Sequence, residues 1–287
     1  MMDISIIIVT YNSEEDIKRC LDSLLGEDAT KNEIIIVDNA SKDKTKEILK
    51  QYNNKIKVVY NKKNLGYAEG NNIGFENSRG KYIFLLNPDT KVLQGGLKKM
   101  FDFMEKSKGV IIIGPLLLNP DRTIQSSLRR FPDFRILFFE LTGLSRIFAS
   151  SKIFNRWRMP DFDYKEVKDV EQPMAAALFL RKSFFKDEFM DKRFSMFFND
   201  VDLCIRVKKK GGRIVFFPEA SVIHTRGKST AKVKEKMIPL HTKGLLRFFV
   251  KQRNSFSDRF LFILFLPWIM LNTILRVLLL RFFSKDF

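Results

Sequence analysis

The sequence predicts an α/β fold: a mostly parallel sheet flanked by helices, followed by a C-terminal helical segment of membrane-associating character. Three observations carry this reading. Over the first 115 residues, short β-branched runs alternate with stretches of helical period, the pattern of strand–helix–strand units. Each early strand ends in polar residues. Beyond about residue 230 the chain is first basic and then apolar.

The run Ile4–Thr10 (ISIIIVT) reads as a buried strand, because it has no polar face. SEEDIKRCLDSLL then places Ile17, Cys20, Leu21 and Leu24 on one helical face, with Ser13 as a candidate N-cap. Glu33–Ala40 (EIIIVDNA) is the second strand, with SKDKTKEILKQY a helix behind it. Ile56–Tyr60 is the third, GYAEGNNIGFENS the next helix and Lys81–Asn87 the fourth strand. Within that helix Gly66, Gly70 and Gly74 stand four apart, the spacing of one helix face, as close packing would require. After GVIIIGPLLLNPD the pattern loosens. Residues 122–173 are rich in Arg, Phe and Pro and lack a period, which predicts an irregular excursion or flexible loop. Order returns with a strand over Met174–Lys182, a helix opening near Asp200 and a last strand in GRIVFFPEA. Two units are expected: 1–230, and a tail of 231–287.

The polar strand ends are Thr10 and Asn12, Asp38 and Asn39, Asn64, and Asn87 with Asp89. In open α/β sheets ligands bind outside the carboxyl ends of the strands, so these residues are expected to mark one site.

The net charge of +18 predicts an anionic partner. Between Cys204 and Arg259 fifteen basic residues face three acids, so two thirds of the excess lies there. That stretch leads into FLFILFLPWIMLNTIL, Phe260–Leu275, sixteen residues without a charge. As a helix it would reach about 24 Å, short of a hydrocarbon core of about 30 Å, and Pro267 is expected to kink or break it. The favoured reading is a monotopic anchor lying on an anionic leaflet, with Trp268 at the interface. A true span, with Arg276 snorkelling, and a buried helix are the alternatives. MMDISIIIVTYN has no basic n-region and is not expected to act as a signal peptide. Cys20 and Cys204 have neither framework nor metal spacing and are expected to be packing residues in a reducing cytosol.

No GxxxxGK[ST] loop occurs, and no GxGxxG follows the first strand, which argues against P-loop NTPases, kinases and dinucleotide enzymes. No nucleic-acid recognition motif accompanies the basic charge. The words that do occur are SIIIVTYNSEEDIKRCLDSLL, EIIIVDNASKDKT, NKKNLGYAEGNNIG, YIFLLNPDT, GPLLLNPD, FFNDVDLCIRVKKKG and VIHTRGKST. In this order, over roughly residues 4–230, the chain resembles the inverting family 2 glycosyltransferases of the GT-A fold, within them the rhamnosyltransferase-like group.

The resemblance implies roles for particular residues. Asp89 stands as the last acid of a DxD motif, implying Mg²⁺ or Mn²⁺ bridging a diphosphate. Asn87 replaces the first acid, which weakens the electrostatic case for tight metal binding. His224 stands beside the metal and diphosphate. Asp38 resembles the acid that contacts base or ribose, with Thr10, Tyr11 and Asn12 as the other wall of the pocket. Asn64 and Asn72 either hold the donor or serve as caps. Asp200 resembles the catalytic base, and neighbouring phenylalanines that exclude water would raise its pKa. Asp202 supports the loop or contacts the acceptor, and Arg129 and Arg130 either clamp a phosphate or form a solvated pair. His241 has no functional context.

The expected activity is metal-assisted, inverting transfer of a sugar, with rhamnose the favoured one, from a dTDP- or UDP-sugar to a lipid-linked saccharide at the cytoplasmic face of the membrane. The rivals are a sugar-phosphate nucleotidyltransferase, which would want a glycine-rich loop where this chain has TYNSEED, and a non-catalytic membrane or glycan-binding relic, motivated by Asn87 and Asn199 in place of acids.

Overall fold

The computed structural model describes residues 2–26, 31–186, 188–225, 234–252 and 255–283. The elements run β1 (Ile4–Thr10), α1 (Ile17–Leu25), β2 (Asn32–Asp38), α2 (Thr45–Lys50), β3 (Lys57–Tyr60), α3 (Tyr67–Glu76), β4 (Tyr82–Leu86), β5 (Thr90–Val92), α4 (Gly96–Lys106), β6 (Val110–Leu118) and β7 (Leu128–Arg129). They continue with α5 (Phe134–Leu141), α6 (Leu144–Ile147), β8 (Lys168–Asp169), β9 (Gln172–Pro173), β10 (Ala177–Arg181), α7 (Asn199–Lys209) and β11 (Arg213–His224), then two tail helices, Lys234–Gln252 and Phe256–Phe283.

Among the described residues one sheet dominates, in the order β3-β2-β1-β4-β10-β6-β11-β5, with β8 on the free edge of β11. β3, β2, β1 and β4 are mutually parallel, as are β6 and β11. β10 runs antiparallel between β4 and β6, and β5 antiparallel to β11. The carboxyl ends of β1, β2, β4, β6 and β11 therefore share one edge with the start of β10.

Alternate residues of β1 pack to opposite faces, as a period of two requires. Ile4, Ile6 and Ile8 join Ile17, Cys20, Leu21, Met100 and Met104 in one core. Ile7 joins Ile83, Leu178, Leu203, Cys204 and Phe216 in the other. Both cysteines are free and fully buried, and burial pushes the Cys20 thiol up to about 12. Two of the three spaced glycines pack on the sheet: a Cβ on Gly74 would sit 2.4 Å from Ile7 and one on Gly70 2.7 Å from Val9, so α3 lies directly on β1, whereas Gly66 precedes the helix at positive φ and abuts Ser195.

Several boundaries differ from expectation. α1 begins at Ile17 because Ser13 opens a turn, its carbonyl accepting from the N–H groups of Asp16 and Ile17. β11 extends past Ala220 to His224 through a register shift between Phe217 and Ser221. The 122–173 excursion is irregular, yet contains α5, whose start is capped by Asp133 accepting from Ile136 N–H at 2.7 Å.

The tail departs furthest. Pro267 does not end the helix, which runs unbroken for 28 residues, about 42 Å, and is by length and composition able to cross a membrane. Proline leaves a carbonyl unpaired one turn back, and here both Pro267 and Ile263 lie on the exposed face, so that carbonyl is not shut inside the protein. One side of this helix packs inward through Phe262 and Ile269. Phe260, Ile263, Leu264, Trp268, Leu271 and Leu275 are exposed on the other. The preceding tail helix contributes Phe248 and Phe249 to a third core, with Phe194, Phe198, Val201 and Ile205 around the start of α7. The segment around residue 230, where two units were expected to meet, lies outside the described residues.

Candidate active site

The common edge of the strands gathers most of the polar residues singled out in the sequence. Thr10 and Asp38 end neighbouring strands in register, and the Thr10 hydroxyl donates to Asp38 Oδ2 at 3.1 Å. Asp38 is fully buried, accepts from Ser41 N–H at 3.1 Å and has Lys46 Nζ 4.0 Å away. Asn12, at a positive φ of 51°, joins the two loops. Its N–H donates to Ser41 Oγ and its Oδ1 accepts from Lys42 N–H, both at 2.9 Å. Tyr11 stands exposed beside them. Together they make one wall.

β4 leads to Asn87 and Asp89. The Asn87 backbone is pinned on both sides, its N–H donating to Ala176 O and its carbonyl accepting from Thr90 Oγ1 at 2.6 Å. β5 then returns antiparallel to β11 with Thr90 opposite His224, which brings His224 Nε2 to 3.4 Å from Asp89 Oδ1. The ring is oriented from behind. Gln125 Nε2 donates to His224 O at 3.1 Å and to Asn119 Oδ1 at 2.9 Å, which fixes the amide, so Gln125 Oε1 accepts from His224 Nδ1–H at 2.7 Å. In the neutral ring Nε2 then carries the lone pair toward Asp89.

This pair tests whether a divalent cation fits. Two lone-pair atoms facing each other at 3.4 Å repel unless a proton or a cation lies between them, and a histidine held at its other nitrogen by a side-chain acceptor is how proteins present a ligand. No group of three His, Cys, Asp or Glu side chains surrounds the point among the described residues. Mg²⁺ commonly takes one or two protein ligands and completes its shell with substrate phosphates and water, so Asp89 and His224 fit as that partial set.

Asp200 enters from the N-terminal turn of α7. Gln172 Nε2 donates to Asp200 Oδ2 at 2.8 Å and Val201 N–H to its Oδ1 at 2.9 Å. Burial pushes its carboxyl above the ordinary carboxylate range, against the lowering by hydrogen bonds from the Val201 and Ala175 backbone and from Gln172. Tyr67 connects the two acids: its hydroxyl donates to Ala175 O at 2.9 Å, and its pKa is raised first by burial, then by the charges of Asp200 and Asp89. Asp200 and Asp89 thus both lie near enough to the Tyr67 hydroxyl for their charges to act on it.

Other predicted residues are engaged within the protein. Asn64 Oδ1 accepts from Gly66 N–H at 2.9 Å, a local turn. Asn72 clamps the backbone of Met190, donating to its carbonyl and accepting from its N–H, each at 2.9 Å. Arg130 pairs with Glu171 at 2.8 Å, so it is no bare phosphate clamp. Arg129 donates to Leu128 O at 2.6 Å and lies over the Trp157 ring. Asp202 is fully buried between Arg206 at 2.9 Å and Lys251 at 2.6 Å, which removes it from any acceptor contact and makes it the tie between α7 and the tail. Sequence reasoning missed Gln125, Gln172, Tyr67 and Lys251. The two glutamines fall in the aperiodic 122–173 stretch, where no pattern singles out one polar residue from another.

Comparison with known proteins agrees with this geometry. The family model described as "Glycosyl transferase family 2" matches residues 5–191. N-acetylglucosaminyl-diphospho-decaprenol L-rhamnosyltransferase of Mycobacterium tuberculosis is 24% identical over 266 residues, 87% of this chain and 84% of that protein. The putative teichuronic acid biosynthesis glycosyltransferase TuaG of Bacillus subtilis is 35% identical over 124 residues, 42% of this chain, and the match spans 49% of that relative's length. Among solved structures, S. aureus TarS 1–349 in complex with UDP-GlcNAc superposes with a TM-score of 0.58 at 20% identity, over 93% of this chain and 72% of that one. GalNAc-T7 with UDP, GalNAc and Mn²⁺ gives 0.58 at 17% identity, over 78% and 44%. These neighbours share the GT-A fold. With the family model covering most of the sheet and its strand-end residues, this chain belongs to glycosyl transferase family 2.

Proposed function

We propose that this glycosyltransferase moves a sugar, with inversion, from a nucleoside diphosphate sugar to a lipid-linked saccharide at the cytoplasmic membrane face. The observation that carries the proposal is a half-buried carboxylate of raised pKa, Asp200, which acts on the Tyr67 hydroxyl together with Asp89 of the Asp89–His224 pair.

In this reading the wall of Thr10, Tyr11, Asn12 and Asp38 receives the nucleoside, and Asp89 and His224 would hold Mg²⁺ or Mn²⁺. Bound there, the cation would supply positive charge to the departing nucleoside diphosphate. Asp200 takes the proton of the acceptor hydroxyl as that oxygen bonds to the anomeric carbon and the carbon–oxygen bond to the diphosphate breaks. A single in-line displacement of this kind inverts the anomeric centre. Its hydrogen bonds from Gln172 and Val201 keep the carboxylate aimed.

A rhamnosyl donor is favoured by the mycobacterial relative, which aligns over most of both chains and whose name specifies rhamnosyl transfer to a decaprenyl-diphosphate-linked sugar. The exposed apolar side of the Phe256–Phe283 helix and the basic approach to it support association with an anionic leaflet. The test is nucleoside diphosphate release by membrane-reconstituted protein from a panel of dTDP- and UDP-sugars with Mg²⁺ or Mn²⁺ and a lipid-linked acceptor. Release lost in Asp200→Asn supports the proposal. Absence of release from every donor, or release unchanged in Asp200→Asn, overturns it.

A further inference from the structure

A cavity of about 350 Å³ lies between α5–α6 and the two tail helices, beside the start of α7, within the size range of small-ligand pockets, about 300–1,000 Å³. Its walls are largely apolar, with Leu137, Leu245, Phe249 and Ile269 among them. Phe198, two residues before Asp200, lines it. His241 also lines it, packed against Phe197 and Phe198 and pushed down to about 4 by burial and by the Arg276 charge, so that it is a neutral wall at pH 7.

The charge at this cavity is one-sided. Arg146 and Arg276 both line it, and the Arg276 guanidinium feels first its burial, then the Arg146 charge, with Glu140 acting in the opposite sense. Glu140 is the acid among the lining residues, and both its oxygens are taken by Arg158, at 2.6 and 3.0 Å. Among the described residues neither Arg146 nor Arg276 has a carboxylate within ion-pair distance. Two exposed guanidiniums at the rim of one apolar cavity offer positive charge to an anion, and their planar forks suit phosphate oxygens. Leu275 and Leu279 line the same cavity while also standing half-exposed on the outer apolar side of the last helix. The cavity is therefore continuous with the surface that would meet lipid.

We propose that this cavity binds the lipid acceptor itself: the first isoprenoid units against the apolar walls and the diphosphate between Arg146 and Arg276, which directs the attached saccharide past Phe198 toward Asp200. The inference rests on the reading of the acceptor as lipid-linked, and it assigns a place for the lipid that the nucleotide site does not contain.

Trp157 lines the cavity and is one of two tryptophans, so its fluorescence in a Trp268→Phe full-length protein in detergent reports occupancy. Titration with geranylgeranyl diphosphate is expected to saturate at least tenfold below the concentration needed for inorganic pyrophosphate or geranylgeraniol. Micelles containing phosphatidylglycerol should not compete at equal concentration. Arg146→Gln with Arg276→Gln should weaken binding tenfold or more, and Leu245→Phe, which narrows the cavity without adding a second indole, should weaken it as well. If the arginine variant fails to fold, Leu245→Phe with an unchanged melting temperature carries the test. No saturable signal in the parent protein, equal affinity for pyrophosphate or phosphatidylglycerol, or unchanged affinity in the folded variants overturns the proposal. Release of nucleoside diphosphate from a donor without acceptor, measured on the parent protein, separates the two readings. Turnover without lipid binding sinks this inference alone, whereas lipid binding without turnover sinks the transferase mechanism and leaves the cavity.

Discussion

His224 presents Nε2 to Asp89 Oδ1 at 3.4 Å only because Gln125 holds its Nδ1–H at 2.7 Å from the opposite side. The orientation of the imidazole, on which the proposed cation site depends, is set by a residue 99 positions away in sequence. Gln125→Leu removes the acceptor and frees the ring. Mn²⁺ affinity, read by isothermal titration in the presence of nucleoside diphosphate, is expected to fall about 10–100-fold, with Asp89→Ala falling at least as far. An unchanged affinity in Gln125→Leu would mean the ring does not ligate the ion.

Asp200 must lose its proton to act as a base, so transfer should rise with pH through a value above the ordinary carboxylate range. Gln172 hydrogen-bonds the charged form and thereby lowers that value. Gln172→Leu should therefore move the acid limb of the kcat/KM profile to higher pH, while donor affinity stays as it was. A limb that stays in place, or moves to lower pH, contradicts the role given to Asp200.

Lys251 bridges two buried carboxylates, Asp191 Oδ2 at 2.8 Å and Asp202 Oδ1 at 2.6 Å. Lys251→Met leaves both without that cation and should destabilise the protein by about 3 kcal/mol, measured by urea unfolding. Burial alone would raise the Asp191 pKa, but hydrogen bonds from Arg193 and Lys251 outweigh it and hold the carboxyl well below the usual range. A depressed folded pKa contributes stability that is full above the unfolded value, about 3.9, and is lost as pH falls below it. The gap between parent and variant should narrow below about pH 4.

A Cβ at position 74 would meet Ile7 Cγ2 at 2.4 Å. Ile7 belongs to a central strand with partners on both sides, so β1 cannot shift without breaking a ladder and only α3 or the Ile7 side chain can give. Gly74→Ala gains helix propensity yet is expected to lose about 1–3 kcal/mol through overpacking. A variant as stable as the parent would show that α3 can lift off the sheet.

If the outer side of the last helix lies on lipid, Leu271→Glu together with Leu275→Glu should abolish sedimentation with phosphatidylglycerol vesicles while leaving the melting temperature unchanged, since both side chains are exposed. Binding that survives would place the membrane contact elsewhere.

The alternating strands and helices of the first half were legible because parallel strands buried on both faces must be continuous apolar runs, and ISIIIVT, EIIIVD and YIFLL are such runs. α5 was not legible: FRILFFEL is apolar nearly all round, because it lies between the body and the tail helices, and a helix with partners on several sides carries no stripe. Pro267 was expected to kink or break the helix, a cost counted in isolation, and it does not end it. In the folded chain it falls on the exposed side of a helix otherwise held by packing.

By itself, the sequence determined which residues end the strands, since β-branched runs must stop where polar groups need water or a ligand, and so it determined Thr10, Asp38, Asn87 and Asp89 as one edge, whereas Asp200 was singled out only by the family resemblance. Tertiary structure alone decided which of these are oriented and which are spent. Gln125 and Gln172 aim His224 and Asp200, whereas Asn72, Arg130 and Asp202 are consumed by Met190, Glu171 and Lys251. Those pairings join residues 28–118 positions apart, and the free energy of a polar contact depends on the partner that folding brings to it, which no local pattern records.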